Sequence, residues 1–192
     1  LSNENQCTDY QGITYWFHWT NQAILNDEGE ITENQSVGRN IQERKEAENQ
    51  LLLQSAALES TTLGILLTDL DGYIQWANPA FTELTGYSLD EIQGKSSKIF
   101  KSGKHDKAFY EDLWETILSG KIWKNRIINK RKNGEIYTEN LTITPIKSPS
   151  GEVTSFVAAK ENITEQENIQ LLQGTLYRIS QASNYAYTPE EL

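Results

Sequence analysis

Few side chains in this 192-residue chain could do chemistry. The single cysteine, Cys7, excludes an intramolecular disulfide framework and any thiolate metal site. Of the two histidines, His105 stands in a Lys-, Ser- and Gly-rich stretch, where a lone imidazole is expected to be solvated. Lys130, Arg131 and Lys132 form a basic cluster, but it is short and flanks the Asn133-Gly134 turn, so solubility or a partner explains it better than nucleic acid. Asn129 and Glu139 say more. Strand parity puts Trp123, Ile127 and Asn129 on one side of one strand. It puts Tyr137, Glu139, Leu141 and Ile143 on one side of the next. An apolar face carrying an amide and a carboxylate is either a pocket with fixed polar groups or an edge meeting solvent. Parity alone favours the solvated edge; if buried, Glu139 would be a redox- or pH-sensitive carboxylate.

The elements that position these residues follow from turn and capping signals. Residues 65–69 and 73–77 are apolar-rich runs around Asp71-Gly72, a tight-hairpin signal in which both central positions need positive φ. Asn78-Pro79 reads as N-cap and first helical residue of a short helix that carries Phe81 and Leu84 and stops at Gly86. Ser88 and Glu91 form a capping box for another short helix, ending near Gly94. A polar stretch, 95–105, leads to Asp106, the cap of a longer helix. That helix has Phe109, Leu113 and Ile117 on one stripe, Tyr110, Trp114 and Leu118 beside it, and Gly120 at its end. Three strands follow, at 122–132, 136–146 and 153–160. Two strands, then short helices, then three strands indicate an α+β fold with an antiparallel sheet.

An internal repeat organises the rest. Sliding residues 12–44 along by 122 positions, without a gap, gives nine identities in thirty-three, among them Gly12/Gly134, Tyr15/Tyr137, Gly29/Gly151, Asn40/Asn162 and Ile41/Ile163. Generic hairpin composition explains shared glycines but not a match across both strands, so a module of about 120 residues is duplicated. Residues 1–40 are then the last two strands of a truncated copy, 41–62 a linker helix, 63–163 a complete copy, and 164–192 an exit helix and the start of something further. Position 1 is not methionine, which suggests a piece of a longer chain.

The net charge of −10 belongs to the connectors. Residues 63–163 hold thirteen acids and thirteen bases, residues 1–62 ten against three, and residues 164–192 four against one. That distribution offers no electrostatic footprint for nucleic acid and no basic face for anionic lipid. The longest apolar run, 63–67, is far below the roughly 20 residues of a membrane helix. In the helix at 41–60, Leu51 and Leu58 lie seven apart; downstream, Ile169, Leu172, Leu176 and Ile179 are spaced three, four and three. This is a short heptad pattern, weakened at Gly174 by about 1 kcal/mol relative to alanine. Such helices pair two copies or pack on their own domain.

Residues 68–87, TDLDGYIQWANPAFTELTGY, resemble the PAS sensory domain family. The match continues through EIQGK at 91–95 and WKNRIINKRKNG at 123–134, and closes with GEV at 151–153 and KENITE at 160–165. Residues 12–48, ending GRNIQERKEAE at 38–48, resemble the last strands and exit helix of another PAS domain, and 168–192, with LYRISQA at 176–182, resemble the entry helix of a GAF domain. The resemblance implies a five-stranded antiparallel PAS sheet with short helices on one face and signalling helices at both ends. It implies a non-catalytic sensory module of a cytoplasmic signal-transduction protein, a histidine kinase or diguanylate cyclase whose output domain lies elsewhere. The alternative is a ligand-free interaction and dimerisation module. The implied partners are a second copy, through the flanking helices, and the neighbouring sensor and output domains.

The resemblance leaves the cofactor unassigned. Flavin-adduct photochemistry needs a cysteine inside the complete copy, and Cys7 lies outside it. Haem would need a histidine near the long helix; His105 is available, but haem is disfavoured. The similarity is greatest to the flavin-type redox-sensing branch, which shares the Ser102-Gly103 turn, the Tyr110, Leu113 and Trp114 helix, Trp123 and the Asn129–Lys132 turn. It implies an FAD or small-ligand pocket with Trp114 beside the ring system, Asn129 bonding its edge and Trp123 nearby. Two positions depart from that branch: Leu66 replaces a serine and Ser97 an acid.

Overall fold

Every hairpin described in the protein closes on one glycine. The computed structural model describes residues 2–185, which fall into two units that divide between Ala57 and Leu58. In the first, β1 (Ser2–Thr8), β2 (Thr14–Leu25) and β3 (Ile31–Asn40) form an antiparallel sheet in that order, and α1 (Gln42–Ser60) follows. The second contains β4 (Gly64–Thr68), β5 (Ile74–Ala77), α2 (Pro79–Thr85), α3 (Leu89–Ile92), a 3₁₀ turn (Ser97–Phe100) and α4 (Lys107–Leu118). It ends with β6 (Trp123–Lys130), β7 (Ile136–Lys147), β8 (Val153–Asn162) and α5 (Thr164–Tyr185). Its sheet is antiparallel throughout, ordered β5-β4-β8-β7-β6. The expected entry to a further domain falls partly on residues 186–192, outside the described residues.

At the β4–β5 corner the Asp69 N–H donates to the Tyr73 carbonyl and the Gly72 N–H to the Asp69 carbonyl. The same two bonds close the turns at Gly12, Gly29, Gly134 and Gly151. Only the glycine takes a positive φ, 81° at Gly72, and no described non-glycine residue does. The expectation that both positions of Asp71-Gly72 take positive φ is therefore corrected: Asp71 does not, and the three-residue loop 70–72 closes on a left-handed glycine alone. The Asp69 carboxylate holds the corner by accepting the Asp71 and Tyr73 N–H groups.

The helix caps follow local chemistry. Asn78 Oδ1 accepts the Phe81 N–H and Asp106 Oδ1 the Phe109 N–H, while Ser88 and Glu91 form their capping box. Asn78 is 1% exposed and does more than cap. It also accepts the Ile65 N–H and donates to the carbonyls of Leu58 and Leu63, tying the entry to β4 to the start of α2. Within the stretch 95–105, expected to be polar connection, the 3₁₀ turn buries Phe100 edge-on against Phe81 and Tyr87. Phe81, Ile92, Phe100, Leu113 and Ile117 from the helices share one core with Leu66, Ile127, Leu141, Ile143, Phe156 and Ala158 from the sheet.

The repeat is visible in the element bounds. Adding 122 to those of β2 and β3, and to the first residue of α1, gives β7, β8 and the start of α5. The first unit has three strands where the sequence pointed to two. Its β1, SNENQCT, carries no apolar alternation and is almost wholly exposed.

Candidate functional site

The face of the β4–β8 sheet that packs on α4 and the 3₁₀ turn encloses a cavity of about 100 Å³. Its wall is mainly apolar, with Leu66, Leu113, Ile143 and Phe156 among its residues, and its polar members include Thr68, Ser97, Asn129 and Lys160. Trp114 closes one side by resting on the β4–β5 corner. A Cβ at position 72 would meet the Trp114 ring at 2.9 Å, so glycine there serves both the turn and the close approach.

A charged trio is buried beside this cavity. Glu139 is 0% exposed, Lys160 4% and Asn129 4%. Lys160 Nζ lies 2.5 Å from Glu139 Oε1, and Asn129 Nδ2 donates to the same oxygen at 2.9 Å. The ammonium also stands over the Phe81 and Phe100 rings, 5.8 and 5.7 Å from their centroids. Three adjacent strands thus contribute one residue each: Asn129 from β6, Glu139 from β7 and Lys160 from β8. Glu139 Oε2 and the Tyr137 hydroxyl, on the same side of β7, are buried without a hydrogen-bond partner. Burial, and then the charge of Glu139, pushes the Tyr137 phenol well above its ordinary pKa.

The solvated-edge expectation for Glu139 is therefore wrong. β7 is an inner strand, the helical layer covers its face, and the counter-ion comes from the adjacent strand β8, diagonally, since Lys160 is in register with Leu141. His105 is not simply solvated either. Its Nε2 accepts the Ile128 N–H at 2.8 Å and its ring stacks on Phe109, 4.0 Å between centroids. Desolvation lowers its pKa, against the opposing effect of Asp106.

Of the three residues placed by resemblance in a ligand pocket, Trp114 and Asn129 line the cavity and Trp123 does not. Trp123 sits six residues up β6, edge-on to Phe109, with its indole N–H given to Asp112 Oδ2 at 2.8 Å. Both departures from the flavin branch, Leu66 and Ser97, are on the cavity wall. At about 100 Å³ the space is well below the roughly 300 Å³ at which pockets for drug-sized ligands begin, and the Asn129 amide is already committed to Glu139. A three-ring flavin does not fit this cavity as it stands.

The connection from the site to the exit helix has no signature in the sequence pattern. Thr138, between Tyr137 and Glu139, holds the start of α5. Its carbonyl accepts the Ile163 N–H and the Thr164 hydroxyl, and its N–H donates to Thr164 Oγ1. Asn162 Oδ1 accepts the Thr164 N–H, and Arg126 pairs with Glu167 at 2.7 Å. The first unit repeats the device 122 residues earlier. The Trp16 carbonyl accepts the Ile41 N–H, the Trp16 N–H donates to Gln42 Oε1, and Asn40 Oδ1 accepts the Gln42 N–H. Even the ion pair recurs with its signs reversed, as Glu4–Lys45 at 2.8 Å.

Comparison with known proteins gives these features their context. The nitrogen fixation regulatory protein of Klebsiella oxytoca is 33% identical over 107 residues, 56% of this chain and 22% of the relative. The aerotaxis receptor of Escherichia coli (strain K12) is 30% identical over 114 residues, 59% of this chain and 22% of the receptor. A blue-light-activated histidine kinase of Brucella canis is 33% identical over 112 residues, 57% and 23% of the two chains. The chain thus spans about a fifth of the length of these curated relatives. Among solved structures, an RNA-binding light-oxygen-voltage receptor superposes with a TM-score of 0.62 at 18% identity, covering 86% of this chain and 44% of that one. The PAS domain of a Colwellia psychrerythraea protein gives 0.53 at 22% identity, covering 60% and 98%. At those identities the structures speak to the fold alone. No described helix is long and apolar enough to cross a membrane. Residues 62–165 match the family model for the PAS domain, and with its five-stranded antiparallel sheet and short helices the chain belongs to the PAS family of sensory domains.

Proposed function

We propose that this chain is a sensing and relay segment of a larger signal-transduction protein of the histidine kinase or diguanylate cyclase type, with its output domain outside these residues. The observation that carries the reading is the Thr138 clamp. One residue of β7 lies between two buried core groups, Tyr137 and Glu139, and its backbone bonds to the first turn of α5. A change in the cavity or in the Asn129–Glu139–Lys160 trio alters the position of β7 and with it the helix that leaves the domain. The names of the relatives, a regulatory protein, a receptor and a histidine kinase, support this setting.

In this reading residues 1–40 are the closing strands of a second PAS domain, and α1 is its exit helix, anchored by the equivalent bonds. Leu51 and Leu58 on α1, and Ile169, Leu172, Leu176 and Ile179 on α5, are all exposed in the single chain and form the seams through which two copies pair. The small cavity favours a second reading, a ligand-free docking and dimerisation module, in which the trio only stabilises the fold.

A spin label separates the two. In a chain with Cys7→Ser, a label at Gln166, an exposed position on α5, reports the helix while Asn129→Ala disturbs the trio. Relay predicts a changed label mobility; an identical spectrum leaves the docking module.

A further inference from the structure

The charges around the cavity do not balance. Three lysines, Lys98, Lys101 and Lys160, line it, and none of its lining residues is acidic. Lys160 is neutralised by Glu139. Lys101 and Lys98 have no paired carboxylate among the described residues, and Lys101 is half-buried, its ammonium 3.4 Å from the centre of the Tyr110 ring. Desolvation, then repulsion from Lys98, lowers the pKa of Lys101, so the cation stands in an environment that disfavours it. The hydroxyl of that same Tyr110, another cavity residue, is buried without a hydrogen-bond partner.

A partly desolvated cation resting on the ring face lacks a carboxylate, and the buried hydroxyl of that same ring lacks an acceptor, which buried polar groups seldom do without. Water would satisfy the hydroxyl but leave the positive charge. A bare inorganic anion would satisfy both but leave the apolar wall without a partner. An engineered apolar cavity of ~150 Å³ takes benzene, so about 100 Å³ suits a body of a few carbons.

We propose that the cavity binds a small organic carboxylate, its charged end held by Lys101, Lys98 and the Tyr110 hydroxyl and its short apolar body packed on Leu113, Trp114 and Phe156. This rests on the reading of the cavity as the sensory pocket and gives that pocket its ligand class.

Butanoate is the probe, titrated calorimetrically into the full 192-residue chain at neutral pH and fixed ionic strength, with butanamide and chloride as parallel arms. Butanoate should bind one to one, and butanamide at least about tenfold more weakly, because hydrogen bonds to a charged group are the stronger class. Lys101→Gln should weaken butanoate about tenfold or more and leave butanamide unchanged. Tyr110→Phe, which removes only the hydroxyl, should weaken butanoate several-fold and keeps the question answerable if Lys101→Gln fails to fold. No butanoate binding, equal binding of acid and amide, or wild-type affinity in Tyr110→Phe would overturn the proposal. Displacement of butanoate by chloride would overturn the organic class. Butanoate binding without any response at α5 would keep the site and remove the relay; α5 coupling without butanoate binding would do the reverse.

Discussion

Replacing Glu139 by glutamine keeps the shape of the trio and removes its one negative charge. Glu139 is fully buried, Lys160 is 4% exposed, and one carboxylate oxygen accepts from both Lys160 and Asn129. Solvent therefore cannot compensate the ammonium once the carboxylate is gone. Breaking a buried pair by removing one partner costs roughly 3–5 kcal/mol, against a total stability of roughly 5–15 kcal/mol for a domain. Removing both charges is a different perturbation. A Glu139→Leu/Lys160→Met chain loses the attraction and the desolvation penalty together, and such swaps range from neutral to about 1–4 kcal/mol stabilising. Urea unfolding, followed through the backbone NMR signals of β7 so that the second unit is read by itself, measures both. The expected result is a midpoint lowered by roughly a fifth or more in the single variant and restored in the double variant, with an unchanged urea slope. A single variant within about 0.5 kcal/mol of the wild type would refute the argument, since that is the range of surface substitutions. So would a double variant as unstable as the single one.

Three further outcomes follow from named contacts. His105 accepts the Ile128 N–H through Nε2 and its pKa lies below the ordinary histidine value, so its NMR titration midpoint should fall below about 6.5. The folded state binds fewer protons than the unfolded one, so this contribution to stability is present above pH ~6.5 and declines as pH falls through the lowered value, a trend that His105→Gln should abolish. Arg126→Glu should set two carboxylates together at the start of α5 and loosen it, at a cost below about 1 kcal/mol because the pair is at the surface; adding Glu167→Arg should restore it with the polarity already seen at Glu4–Lys45. Gly72→Ala should cost about 1–2 kcal/mol for the left-handed backbone, measured by urea unfolding, and shift Trp114 fluorescence as the new Cβ displaces the ring.

What could be read from the sequence was local. The caps at Asn78, Ser88 and Asp106 each join residues three apart, and the hairpin glycines announce themselves, so element order and the antiparallel α+β fold followed from short-range chemistry. The repeat was legible because glycine corners and exit residues recur at one offset. Contacts between distant strands were not. Parity placed Glu139 on the correct face but could not show that the face is covered, nor that Lys160, 21 residues on, supplies its counter-ion. The buried role of His105 is hidden from sequence for the same reason, its partner Ile128 being 23 residues away. Trp123 shares a face with Asn129, but six residues of strand is roughly 20 Å, too far to share a small cavity. The 3₁₀ turn at Ser97–Phe100 was hidden in a polar stretch whose one buried aromatic, Phe100, was its only signal.

In the proposed relay the core trio and the exit helix are coupled through Thr138. Native-state hydrogen exchange at the Ile163 amide, bonded to the Thr138 carbonyl at 3.0 Å, reads that coupling directly. The comparison is between the wild type and the Glu139→Leu/Lys160→Met chain, expected to be at least as stable globally. Ile163 should exchange at least about tenfold faster in the variant, because β7 is no longer held by the trio on the inner side of the clamp. Unchanged exchange at Ile163, with altered exchange confined to the strand amides around Leu141, would show a trio that stabilises the sheet and tells α5 nothing.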